Sequence, residues 1–123
     1  MFANVETLIP TNNLLIVKAG SESIVEFYYD NASFSKITSE DVIFWAMSRG
    51  IIEVAKQNPC LSRRTLNIVS ASMEFFKAVY PPATITFKSF FYQMGCFGKA
   101  SCKAYDDDKQ FAIANITFAI FSK

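Results

Sequence analysis

Eleven aspartates and glutamates, three cysteines and no histidine are what this chain offers for proton transfer or nucleophilic attack. The missing imidazole excludes His-based general acid or base catalysis, Ser-His and Cys-His nucleophile activation, and nearly every catalytic zinc site. An acid or base here must therefore be a carboxylate, poised by burial or by a neighbour. Glu26 alternates with Ile24 and Tyr28 in a strand-like run, and Glu53 lies in a helix-periodic stretch. Either serves as a base if a pocket desolvates it, and is an ordinary solvated surface carboxylate if not. Asp106, Asp107 and Asp108 look like cation ligands, but three consecutive acids in a turn point in different directions and lack a further ligand. They read as a hairpin loop, and no metal is expected. Cys60, Cys96 and Cys102 are odd in number and show no C-x-x-C spacing, so they read as free thiols.

Charge and composition remove further classes. Twelve Lys and Arg against eleven acids give +1, with no basic tract to neutralise a row of phosphates, so no nucleic-acid partner is expected. No Rossmann or P-loop glycine pattern is present, and no cofactor is implied. The 123 residues suit one domain spanning residues 1–123. With 51% of residues hydrophobic and 13 Phe, a chain this short has more apolar surface than a monomer hides, which points to a dimer at least. The opening MFANVETLIPTNN lacks the basic start of a secretory signal, so the expected location is cytoplasmic. The longest apolar segment, Phe111 to Phe121, is broken by Asn115 and Thr117 and falls short of the roughly 18 residues that span a bilayer.

The elements that must position these groups follow from periodicity. Leu14 to Val17 and Ser23 to Tyr29 are β-branched and aromatic runs joined through Ala19-Gly20-Ser21, as in a hairpin. From Thr38 to Gln57 the period changes: Val42, Ile43, Ala46, Met47, Gly50, Ile51, Val54 and Ala55 recur at three- and four-residue steps, one face of a helix. Thr38 with Asp41 forms a capping pattern, Glu40 and Asp41 complement the helix dipole, and Asn58-Pro59 ends the element. A period of two then returns in Leu66 to Met73, Thr84 to Met94, Lys99 to Tyr105 and Gln110 to Phe121. Gly95 to Gly98 forms one turn between them and Asp106 to Lys109 another. In Lys99 to Tyr105 one face carries only Ala100, Cys102 and Ala104, which suits a sheet wrapped closely around a bulky helix. The expected class is α+β in the order β-β-α-β-β-β-β: a curved antiparallel sheet around one central helix, the hot-dog architecture.

From Ile68 to Ile120 the chain also resembles the C-terminal half of the 3-hydroxyacyl carrier-protein dehydratases. Met73 to Ala83 occupies the place of that family's basic and aromatic stretch and Pro-Gly turn. Gly95 and Gly98-Lys99-Ala100 resemble its Gly-Lys turn, and Ala112 to Phe121 its closing strand. Aligned on the shared Ala46-Met47 pair, the family's catalytic His falls on Asn31 and its catalytic Glu on Trp45, so both members of the acid/base pair are replaced. Asn31 still offers an amide to a thioester oxygen, and Trp45 fills the acid's place with indole. The resemblance implies a substrate site around Asn31, Phe34, Ile37, Trp45 and Arg49. It implies as partners an acyl carrier protein or acyl thioester, and a homodimer or a heterodimer with a catalytic hot-dog subunit. Arg63, Arg64, Lys77, Lys88, Lys99 and Lys103 are scattered cations that an acidic carrier protein would complement. The function expected is that of a catalytically degenerate member of fatty acid or polyketide metabolism. The alternative is an acyl thioesterase or atypical dehydratase in which Glu53 or Glu26 works with backbone N–H groups at Thr38 to Asp41.

Overall fold

The computed structural model describes residues 13–30 and 38–121. Its elements are β1 (Leu14–Lys18), β2 (Ser23–Tyr29), α1 (Ser39–Ala55), β3 (Thr65–Phe75), β4 (Ala83–Met94), β5 (Phe97–Asp106) and β6 (Lys109–Phe121). The strands form one six-stranded sheet in the order β1-β2-β4-β5-β6-β3, antiparallel throughout. The helix packs on one face of it, which is the hot-dog fold expected from the pattern.

Alternation decides which face the helix covers. Val25, Phe27 and Tyr29 of β2, Ile85 and Phe87 of β4, and Ala112, Ala114, Ile116 and Phe118 of β6 are all buried on the helix side. Removing each of the large side chains among them from water contributes about 1.5–3 kcal/mol. Ala100, Cys102 and Ala104 keep the centre of β5 shallow, so the helix approaches closely there. The opposite face carries Glu26, Lys88, Lys103, Lys99, Phe90 and Tyr92 in register.

The helix meets this surface with Val42, Ile43, Ala46, Met47 and Ile51, each at most 3% exposed. Thr38 caps it, its hydroxyl accepting from the Asp41 N–H at 3.3 Å. At its middle, Gly50 faces Val25, where an added Cβ would stand 3.2 Å from Val25 Cγ1. Helix and sheet are therefore in direct contact at that level.

Several boundaries differ from the sequence expectation, three of them for a visible local reason. The helix ends at Ala55, and the chain closes with Gln57 N–H donating to Val54 O and Asn58 N–H to Ala55 O. These tighter turns carry the buried Leu61 back over the helix end. The β4–β5 turn is Gly95-Cys96 alone, with Gly95 at φ 64°, and Phe97 and Gly98 already belong to β5. Gly98 is there for packing: a Cβ at this position would overlap the ring of Phe91. Likewise the β5–β6 turn is Asp107-Asp108, Asp107 taking φ 57°, a conformation Asp tolerates better than most side chains.

Candidate functional site

A constellation of candidate groups forms where the start of α1 meets the chain leaving β3. A cavity of about 520 Å³ is lined by Thr38, Ser39, Glu40 and Ile43 from the helix and by the run Phe75 to Tyr80 from the other side. Phe76 N–H donates to Phe111 O at 2.7 Å, which carries the β3–β6 ladder one residue further and fixes the direction of the exiting chain. Phe75 packs its ring 6.4 Å from that of Phe111, so this wall is anchored in the core. Val79 turns back inward and is buried, while Phe76 and Tyr80 remain exposed at the rim.

The cavity thus has an apolar floor and a polar mouth. Ile43 and Val79 make the floor. At the mouth stand the first residues of the helix, whose backbone N–H groups have no partner within the helix. Asp41 N–H is taken by Thr38 Oγ1 and Val42 N–H by Thr38 O, which among the described residues leaves those of Ser39 and Glu40 to face a ligand. The Ser39 hydroxyl is held 3.0 Å from the hydroxyl of the buried Tyr29, so the sheet fixes the position of the helix start. Exposed Lys77 supplies a cation across from Glu40. Oriented N–H dipoles together with the positive end of a helix stabilise a carbonyl oxygen or an anion.

The residues singled out in the sequence distribute unevenly about this cavity. The stretch Thr38 to Asp41 is at its mouth. Glu26 is not brought there: it pairs with Leu15 and Thr86 on the sheet face turned away from the helix. Nor is Glu53, which lies about 20 Å along the axis from Ser39 at 1.5 Å per residue. It sits instead 3.7 Å from Arg49 Nη2. Trp45, Arg49 and Glu53 recur at four-residue steps and so share one stripe of the helix, with Trp45 half-buried against the core and the Arg49 side chain 11% exposed. None of the three lines the cavity. Asn31, Phe34 and Ile37 lie outside the described residues. Of the scattered cations only Lys77 reaches the site. Lys88 and Lys103 are paired on the outer face, with Lys88 Nζ 4.9 Å from the Tyr105 ring centroid.

Sequence reasoning named Lys77 only as one of several scattered cations, and it did not single out the Glu40 carboxylate or the rim residues Phe76 and Tyr80 as groups of this cavity. Glu40 reads as a dipole-complementing residue of any helix, and its place at a cavity mouth depends on a segment far along the chain. The cysteines stay apart from the site: Cys60 and Cys96 are exposed, and burial pushes the Cys102 thiol up to about 12.

Comparison with solved structures agrees with the architecture. A hypothetical thioesterase with coenzyme A from Streptococcus pneumoniae superposes with a TM-score of 0.69 at 13% identity, over 91% of this chain and 88% of that one. AziG from S. sahachiroi gives 0.67 at 16% identity, over 97% and 96%. A thioesterase from Haemophilus influenzae gives 0.69 at 10% identity, over 91% and 82%. At such identities the likeness establishes the hot-dog fold. No family model matches the sequence, and no curated protein matches it significantly. Among the described residues no helix is long and apolar enough to cross a membrane.

Proposed function

We propose that this chain is an acyl-thioester-binding hot-dog protein whose site is the cavity at the start of α1. The observation that carries this reading is the pairing of an apolar floor, Ile43 and Val79, with the backbone N–H groups of Ser39 and Glu40 at the mouth. A thioester has the matching form: a carbonyl oxygen that accepts hydrogen bonds, and beside it an acyl group that seeks burial. The coenzyme A seen with the S. pneumoniae protein of the same fold supports the ligand class.

The chain lacks the acid/base pair of the dehydratases it resembles. Dehydration of a 3-hydroxyacyl thioester needs a base at C2 and an acid for the departing hydroxyl, and the sequence has no histidine for either role. The reading is therefore that of a dehydratase-like subunit that holds thioester on coenzyme A or an acyl carrier protein and pairs with an active partner. The open edge of β3 favours such pairing. Among the described residues this 11-residue strand has a neighbour, β6, on one side only, so a second hot-dog chain can extend the sheet there.

A second reading, thioester hydrolysis, is favoured by Glu40, a carboxylate at the mouth able to activate water beside the carbonyl. Incubating the purified chain with acetyl- and crotonyl-coenzyme A and weighing the products separates the two. Saturable binding with both thioesters intact fits the first reading. Free acid, lost in Glu40→Gln, identifies the second, and a hydrated crotonyl adduct shows that other residues replace the acid/base pair. Absence of binding overturns the site.

A further inference from the structure

We infer that the site selects short acyl groups, with Ile43 and Val79 as the residues that set the limit. The inference rests on the thioester-binding reading above and concerns how deep that cavity runs. An acyl group entering beside Ser39 would travel along the helix, between α1 and the sheet. One turn below the mouth it meets Ile43, which is 1% exposed, and beside it Val79 at 4%. A turn deeper lies Met47, wholly buried among the core side chains.

Beyond that, the helix rests on the sheet itself. Gly50 has no side chain, and even the first carbon of one would stand 3.2 Å from Val25 Cγ1, so among the described residues helix and sheet close on each other at this level. The sheet side is equally closed, because Phe27, Phe87, Phe111 and Phe118 are at most 2% exposed and fill the inner face. The depth available is about one helical turn, roughly 5 Å. That accommodates an acetyl or butyryl group and leaves the end of a fatty chain in water.

Discrimination follows from the same burial: each methylene that finds no apolar surface forfeits its transfer energy, and forcing it inward disturbs a packed core. Trimming the floor should therefore lengthen the preferred acyl group, an effect that a merely structural residue would not show.

The test measures affinities of the full chain for coenzyme A and for its acetyl, butyryl, octanoyl and dodecanoyl thioesters by titration calorimetry. Acetyl and butyryl thioesters should bind better than free coenzyme A, and octanoyl and dodecanoyl thioesters at least about tenfold more weakly than butyryl. In Ile43→Ala or, should that variant fold poorly, Val79→Ala, the octanoyl-to-butyryl affinity ratio should rise by about fivefold or more. If octanoyl and dodecanoyl thioesters bind the unaltered chain as well as butyryl, the length limit is overturned while the thioester site stands. The length limit falls in the same way if the folded variants leave the ratio unchanged. If no thioester binds better than coenzyme A itself, the thioester reading falls and the length limit with it.

Discussion

The two ends of α1 each border a cavity, and the contrast between them shows what marks a site. The cavity at the start measures about 520 Å³ and the one at the end about 420 Å³. Size does not separate them. At the end, lined by Gln57, Asn58, Leu61, Phe91 and Gln93, two of the closing helix carbonyls and the Asn58 and Gln93 side-chain amides are engaged with their own neighbourhood. Val54 O and Ala55 O accept from Gln57 and Asn58 N–H, Asn58 Oδ1 accepts from Cys60 N–H, and the Gln93 amide donates to Gly95 O. At the start, the helix has two backbone donors to spare above an apolar floor. On the proposed reading, ligand-binding capacity lies in unspent hydrogen-bonding groups rather than in volume.

The contrast can be broken hardest through the helix itself. Gly50→Leu should force α1 away from Val25 and destabilise the protein by about 1–3 kcal/mol, read from the midpoint of urea unfolding. A smaller and more selective change removes one donor. Proline is well tolerated at the first helical position, so Ser39→Pro should keep the fold and lower acetyl-coenzyme A affinity by about 1 kcal/mol. Ser39→Ala, which retains the N–H, should bind more tightly than Ser39→Pro, and Gln57→Ala at the other end should leave affinity unchanged. Equal losses from both ends would erase the distinction.

How far the sequence foretold this contrast can be judged residue by residue. The helix start was legible because Thr38, Glu40 and Asp41 announce it chemically, and the inner face of β5 was legible because alternation is local. The opposite wall was not. Phe76, Lys77 and Tyr80 follow a strand that pairs with the last one in the chain, so their meeting with Ser39 is set by the sheet order, which no local period encodes. That Glu26 and Glu53 stand away from this cavity has the same cause: an alternating or helical position fixes a face, while the sheet decides which face looks at the cavity.

The remaining predictions are smaller. Thr38→Ala removes the acceptor of the Asp41 N–H and should cost about 1 kcal/mol of stability, measured by thermal or urea unfolding. Cys60 and Cys96 should react with an aromatic disulfide reagent in the native protein, with Cys102 joining them only in denaturant. Because the folded-state Cys102 thiol is raised from 9.0 to about 12, the unfolded chain releases this proton first as pH rises. Stability should accordingly decline above pH 9.0 toward about 12, and Cys102→Ala should remove that component of the slope.

The most direct measurement is a backbone amide NMR titration of the full chain with acetyl-coenzyme A. The account predicts saturable shifts concentrated at Ser39, Glu40 and the run from Phe76 to Tyr80, with Gln57, Asn58 and Gln93 unmoved. Shifts centred on the other end of α1, or none at saturating thioester, would contradict it.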